Sequence, residues 1–165
     1  MSPVNAVTYA FGNVYFQRIS KLAQERKRIF PVLWKMWGML AGLGVIPFAL
    51  LFFYSESLFS FAFGQEWNSS GTIAEIITPM LFLSFLFTPS SRTMMVLGKE
   101  QIMPLFSFFS LLTNTATLLI GGLYFDFYTA IIAMSIGQCM IFSVYMLYTY
   151  RIVYKYDTSL EVAQE

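Results

Sequence analysis

The chain has 165 residues, of which 57% are hydrophobic, 19% aromatic and only 12% charged, with a formal net charge of +1. Soluble domains carry about 25% charged residues, so this chain lacks the polar surface to face water, and its apolar runs longer than ~18 residues point to bilayer crossings. It has no histidine and one cysteine, Cys139, which excludes Ser-His-Asp and Cys-His catalysis, His-ligated metals and any internal disulfide.

The first apolar segment, Val4 to Phe16, is short for a crossing, and Met1-Ser2-Pro3 ahead of it has no basic region of the kind that opens a secretory signal. A first helix is expected over 3–17. A basic stretch follows, Arg18, Lys21, Arg26, Lys27 and Arg28, with Glu25 the only acid. The second helix is expected over 30–54 and carries one early charge, Lys35. Within it Gly38 and Gly42 form a small-xxx-small pair, for which close helix contact is the expectation. Ser55 to Gly71 reads as a polar, turn-rich connection containing Glu56, Glu66 and Trp67. The third helix, over 72–97, contains Pro79, Pro89 and Arg92. These prolines, like Pro47 in the second helix, remove a backbone donor and can bend the helix. Glu75 lies a few residues into this stretch, which puts it at the interface, and no other carboxylate falls within a span. After the turn Gly98-Lys99-Glu100-Gln101 comes a fourth helix, 102–124. Asp126 marks a tight turn, a fifth helix covers 127–150, and 151–165 reads as a polar tail. The expected fold is an all-α, multi-pass membrane bundle of about five helices in residues 1–150.

The cations alternate between connections. Arg18 to Lys35 flank the first, Arg92 and Lys99 the third, and Arg151 and Lys155 begin the tail, while the second connection and the Asp126 turn have none. By the positive-inside rule the N-terminus is expected outside and the C-terminus in the cytoplasm. Trp34 and Trp37 at one edge, Trp67 at the other, and Tyr148, Tyr150, Tyr154 and Tyr156 at the end of the last helix read as interfacial anchors. The basic residues form no stripe along one helix face, so no nucleic-acid partner is expected. No cofactor fingerprint is present, and the absence of a buried Asp/Glu pair leaves no acid–base machinery for an enzyme.

Ser107, Ser110, Asn114 and Thr117 recur at intervals of three and four, with Gly121 continuing the line, so they share one face of the fourth helix. Two readings stay open: a cavity wall that hydrogen-bonds a hydroxyl-bearing ligand, or small polar residues that join helix to helix.

Two stretches carry a family flavour. One is Leu58-Phe59-Ser60-Phe61-Ala62-Phe63-Gly64-Gln65-Glu66-Trp67, continuing to Gly71. The other begins at Thr78-Pro79, continues through Thr88-Pro89-Ser90-Ser91 and Met94-Met95-Val96-Leu97, and ends in Gly98-Lys99. Together, from about Pro3 to Tyr150, they resemble the C-terminal half of bacterial polysaccharide biosynthesis flippases of the multidrug/oligosaccharidyl-lipid/polysaccharide exporter superfamily. The resemblance implies an inner-membrane protein that turns undecaprenyl-diphosphate-linked oligosaccharide across the bilayer by alternating access, for O-antigen, capsule or exopolysaccharide export. It also implies an incomplete lobe of a two-lobe flippase, with the missing helices or other polysaccharide-assembly proteins as partners. The alternative is a small non-transporting membrane scaffold or assembly partner. Arg92, with Ser84, Thr88 and Ser91 along its side of the helix, then has two roles open. It can snorkel to the headgroups, or bind the carrier diphosphate as a planar bidentate donor. The candidate substrate-cavity residues are Arg92, Ser110, Asn114 and Thr117.

Overall fold

The computed structural model describes residues 3–162, with side chains from residue 12 to residue 161. Five helices run in chain order: α1 (Pro3–Gln24), α2 (Phe30–Phe63), α3 (Asn68–Val96), α4 (Met103–Tyr124) and α5 (Phe127–Val162). Single 3-10 turns at Gln65–Trp67 and Glu100–Ile102 join α2 to α3 and α3 to α4. The described residues contain no strand, and the all-α class expected from the sequence is what the chain adopts. Helix α3 lies centrally, packed on α1, α2 and α5, while α4 packs on the outer side of α5.

Helices α2, α3, α4 and α5 are each long and apolar enough to cross a membrane. The chain is a multi-pass membrane protein. Helix α1, expected as a fifth crossing, is not among them, because Asn13, Gln17, Arg18 and Lys21 interrupt its apolar sequence.

Burial differs from that of a water-soluble bundle. The inside holds Ser55, Thr78, Ser90, Thr93, Ser135 and Thr149, whereas Ile46, Phe53, Leu111, Leu119 and Leu123 are exposed. Lipid tails solvate leucine as well as a protein interior does, so what gains from burial is the small or polar side chain that lets backbones approach and hydrogen-bond. Thr78, Thr93 and Thr149 each return a hydroxyl proton to the carbonyl four residues earlier, at 2.6, 2.8 and 2.9 Å. With the Thr93 proton committed to Pro89, the Tyr15 hydroxyl is the donor in its 2.7 Å bond to Thr93 Oγ1, which ties α1 to α3.

Four helices extend beyond the expected bounds. Helix α1 continues past residue 17, because Ile19 carries on the buried face begun by Tyr15. Helix α2 runs to Phe63 instead of ending at 54, and α3 begins at Asn68, so the expected Ser55–Gly71 connection contracts to one 3-10 turn. The reason is packing. Ser55 is buried, and a Cβ on Gly71 would lie 2.5 Å from Glu56 Cα, so the polar residues here form a close α2–α3 crossing. Thr72 Oγ1 adds a 2.8 Å bond to Glu56 Oε1. Helix α5 continues through the expected tail to Val162, because Thr149, Val153 and Asp157 prolong its buried stripe at intervals of four. Pro47, Pro79 and Pro89 all lie inside continuous helices.

The turn glycines occupy conformations that side chains resist. Gly64 has φ 104° and ends α2. Gly98 has φ 64° and closes α3 in a Schellman motif, with Lys99 N–H donating to Met94 O at 2.9 Å and Gly98 N–H to Met95 O at 3.3 Å. At the other end of the bundle Asp126 caps α5, accepting the Thr129 hydroxyl at 2.6 Å and its N–H at 3.2 Å. Those two bonds hold the Asp126 carboxyl below the usual carboxylate range.

The cation-bearing end is fastened by the last turns of α5. Asp157 accepts the N–H groups of Ile29 and Phe30, both at 3.0 Å. These are free donors at the start of α2, so a carboxylate from a distant helix does the work of an N-cap. Tyr156 Oη donates to Ala23 O at 3.3 Å, and Arg28 pairs with Glu161. Beneath this clasp Tyr15, Ile19, Ile29, Leu33 and Val153 form the apolar core where α1, α2 and α5 meet.

Candidate functional site

The polar face of α4 turns toward α5, and there it meets a residue that the periodicity of α4 does not announce. Gln138, 3% exposed, donates through Nε2 to Ser110 O at 3.0 Å and to Asn114 Oδ1 at 2.7 Å. Its Oε1 accepts the Ser110 hydroxyl at 2.8 Å. All of the Gln138 amide is therefore committed, and Asn114 is held by its oxygen, which leaves its NH2 group as the donor of that side chain. The available signal was that Gln138 is the only amide in the apolar run 127–150, a position where an unpaired polar group is costly.

Ser110 and Asn114 border a cavity of about 430 Å3 between α3, α4 and α5. Phe87, Phe106 and Tyr145 form its aromatic side, and Ser91 and Ser107 bring further hydroxyls. Tyr145 packs edge-on against Phe87 and Phe106, at ring separations of 4.6 and 4.5 Å. Its buried hydroxyl has no hydrogen-bond partner among the described residues. Such a cavity, mostly apolar with a few convergent hydroxyl and amide groups, suits a small neutral hydrogen-bonding ligand.

The other candidates go elsewhere. Thr117 spends its hydroxyl on the carbonyl of Thr113, at 2.7 Å, and does not line the cavity. Gly121 is a packing position: a Cβ there would sit 2.3 Å from the Cβ of Ala130. Arg92 borders a different cavity of about 270 Å3, with Gly12, Tyr15, Leu40, Phe85 and Thr88. The stripe of Ser84, Thr88, Ser91 and Arg92 thus divides, with Ser91 in the first cavity and Thr88 and Arg92 in the second. A Cβ on Gly12 would be 3.9 Å from Arg92 Nη2, so the guanidinium lies over the α1 backbone. Arg92 takes no part in the ion pairs of the described residues, which join Lys21 and Lys27 to Glu25 and Arg28 to Glu161.

Comparison with protein-family models, with curated proteins and with solved structures finds no match to this chain. The site must speak through its own chemistry.

Gly38 and Gly42 correct an expectation. Neither has any atom of the described residues within 4 Å of a would-be Cβ, so the pair makes no close helix contact among the described residues. Gly44 does so instead, against Phe82 and Phe85 at 3.1 and 3.2 Å. Glu75 is half-buried and borders a hollow between α3 and α5 that also contains Ser135 and Cys139. No three His, Cys, Asp or Glu side chains among the described residues converge as metal ligands.

Proposed function

We propose that this chain is part of a two-lobe flippase that turns lipid-linked oligosaccharides across the inner membrane. The observation that carries the reading is the cavity of about 430 Å3 where Ser107, Ser110 and Asn114 stand beside Phe87, Phe106 and Tyr145. Hydroxyl and amide groups answer sugar hydroxyls, and aromatic faces answer the apolar faces of a sugar ring. The resemblance of the Phe63-Gly64-Gln65-Glu66-Trp67 and Gly98-Lys99 turns to polysaccharide flippases supports the same reading. Both glycines sit at positive φ, so the glycine of each motif has a backbone reason. In this proposal the cation-bearing end faces the cytoplasm. Arg92, standing apart from the sugar cavity, either anchors α3 at the headgroups or meets the carrier phosphate.

Transport by rocking needs two halves about a site between them, so residues 1–165 alone do not complete the cycle. Deleting the encoding gene is expected to abolish surface polysaccharide and leave lipid-linked oligosaccharide on the cytoplasmic face. Unchanged surface polysaccharide would refute the reading, and export restored by this segment alone would refute the two-half requirement. A second reading, a non-transporting scaffold, is favoured by the bare Gly38–Gly42 face, a surface open to another membrane helix. It predicts lost assembly without that accumulation.

A further inference from the structure

A crevice between α2 and α5 at the cation-bearing end has no part in the flippase reading. Its volume is about 710 Å3, and Gly38, Ala41, Leu86, Ser143 and Leu147 give it largely apolar walls. The absence of any atom near a would-be Gly38 Cβ reflects this open space. Ser143 and Leu147 also border the neighbouring hollow that contains Ser135, so the two run on along α5. From Ser135 to Tyr150 that is ~22 Å of helix at 1.5 Å per residue. One leaflet of hydrocarbon is about 15 Å deep.

The mouth of the crevice is aromatic. Trp34 and Tyr150 border it, Phe30 meets Tyr150 edge-on at 5.4 Å and stacks on Trp34 at 6.3 Å. Lys35 and Arg151 adjoin these rings in sequence, are exposed, and enter none of the ion pairs of the described residues. The Phe30–Tyr150 contact and the Asp157 clasp lie toward the cationic end of the crevice. A hydrocarbon chain of one leaflet's depth fits along this run with its head at the ring level.

We propose that this crevice is a binding site for an anionic phospholipid. One acyl chain lies between α2 and α5 against Gly38. The phosphate head rests at the Trp34–Tyr150 rim, within the field of Lys35 and Arg151, and the aromatic rings hold the ester level. The site takes its specificity from charge and its depth from the small walls.

The test uses the full chain carrying Trp67→Phe, which leaves Trp34 and Trp37 as the only tryptophans. It is reconstituted in phosphatidylcholine vesicles with a low, equal fraction of either brominated-chain phosphatidylglycerol or brominated-chain phosphatidylcholine. Brominated phosphatidylglycerol is expected to quench tryptophan fluorescence in excess, corresponding to local enrichment of up to roughly fivefold per cation. Lys35→Gln with Arg151→Gln, both at exposed positions, should bring quenching down to the phosphatidylcholine level. Gly38→Leu, which fills the crevice without changing charge, should remove the same excess. Equal quenching by the two lipids in the parent overturns the proposal. A phosphatidylglycerol excess that survives either the charge or the Gly38 substitution overturns it as well.

Discussion

Replacing Gln138 by methionine keeps an unbranched side chain of similar length and deletes three hydrogen bonds between α4 and α5. The partners are not equally harmed. Ser110 O remains in the helix ladder, and the Ser110 hydroxyl can fold back on its own helix as Thr117 does. Asn114 Oδ1 is stranded. Interhelical hydrogen bonds in membranes average about 0.6 kcal/mol and reach about 1.7, so three bonds at the average put the loss near ~2 kcal/mol. Equilibrium unfolding in mixed detergent micelles, followed by circular dichroism, measures it. Asn114→Leu combined with Gln138→Met should cost less than the sum of the single changes, by about 0.6–1.7 kcal/mol, since the stranded oxygen is gone. A Gln138→Met protein as stable as the parent, or strictly additive costs in the pair, would refute the claim that this network fastens α4.

Other outcomes follow from the packing. Gly71→Val should cost several kcal/mol by forcing α2 from α3, with Glu56 Cα 2.5 Å away, while Gly38→Ala should cost less than about 1 kcal/mol because it meets nothing; thermal unfolding in micelles ranks them. Asp157→Leu strands two N–H groups at about 1–3 kcal/mol each, and Asp157→Asn should recover part of the loss, since its amide keeps one acceptor oxygen. Amide exchange at Ile29 and Phe30 reports the change locally, and unaltered exchange in the leucine variant would contradict the capping role. Reporter fusions near Trp67 and Asp126 should fall on one side of the membrane, and those near Arg26 and the end of α5 on the other; a Lys99 turn on the Trp67 side would disprove the topology.

Composition and apolar runs made the all-α membrane class legible, because lipid selects for long helices whatever their partners. Helix ends were less legible, since polarity imitates a loop wherever helices cross closely. Ser55, Glu56 and Gly71 look like a connection and are a contact. Thr149, Val153 and Asp157 keep the spacing of a buried stripe, so the extension of α5 was readable from its period, though its polar composition concealed it. At the site, periodicity placed Ser110 and Asn114 on one face but gave no partner for it. Gln138 answers from another helix, and no local pattern encodes which face meets which. The same limit explains Arg92: one residue from Ser91 is a rotation of about 100°, enough to send it to a different cavity.

The carboxylate that completes the start of α2 is 128 residues further along the chain than Ile29. A ribosome therefore delivers the second helix long before the means to finish it. During that interval the Ile29 and Phe30 amides have only water to serve them, which keeps this end of α2 at the surface of the bilayer while α3, α4 and α5 are still being made. The turns around Asp157 then close the start of α2, so the arrival of α5 completes this clasp. A chain cut short just before Asp157 would retain α2, α3, α4 and nearly all of α5, yet leave the start of α2 unfastened.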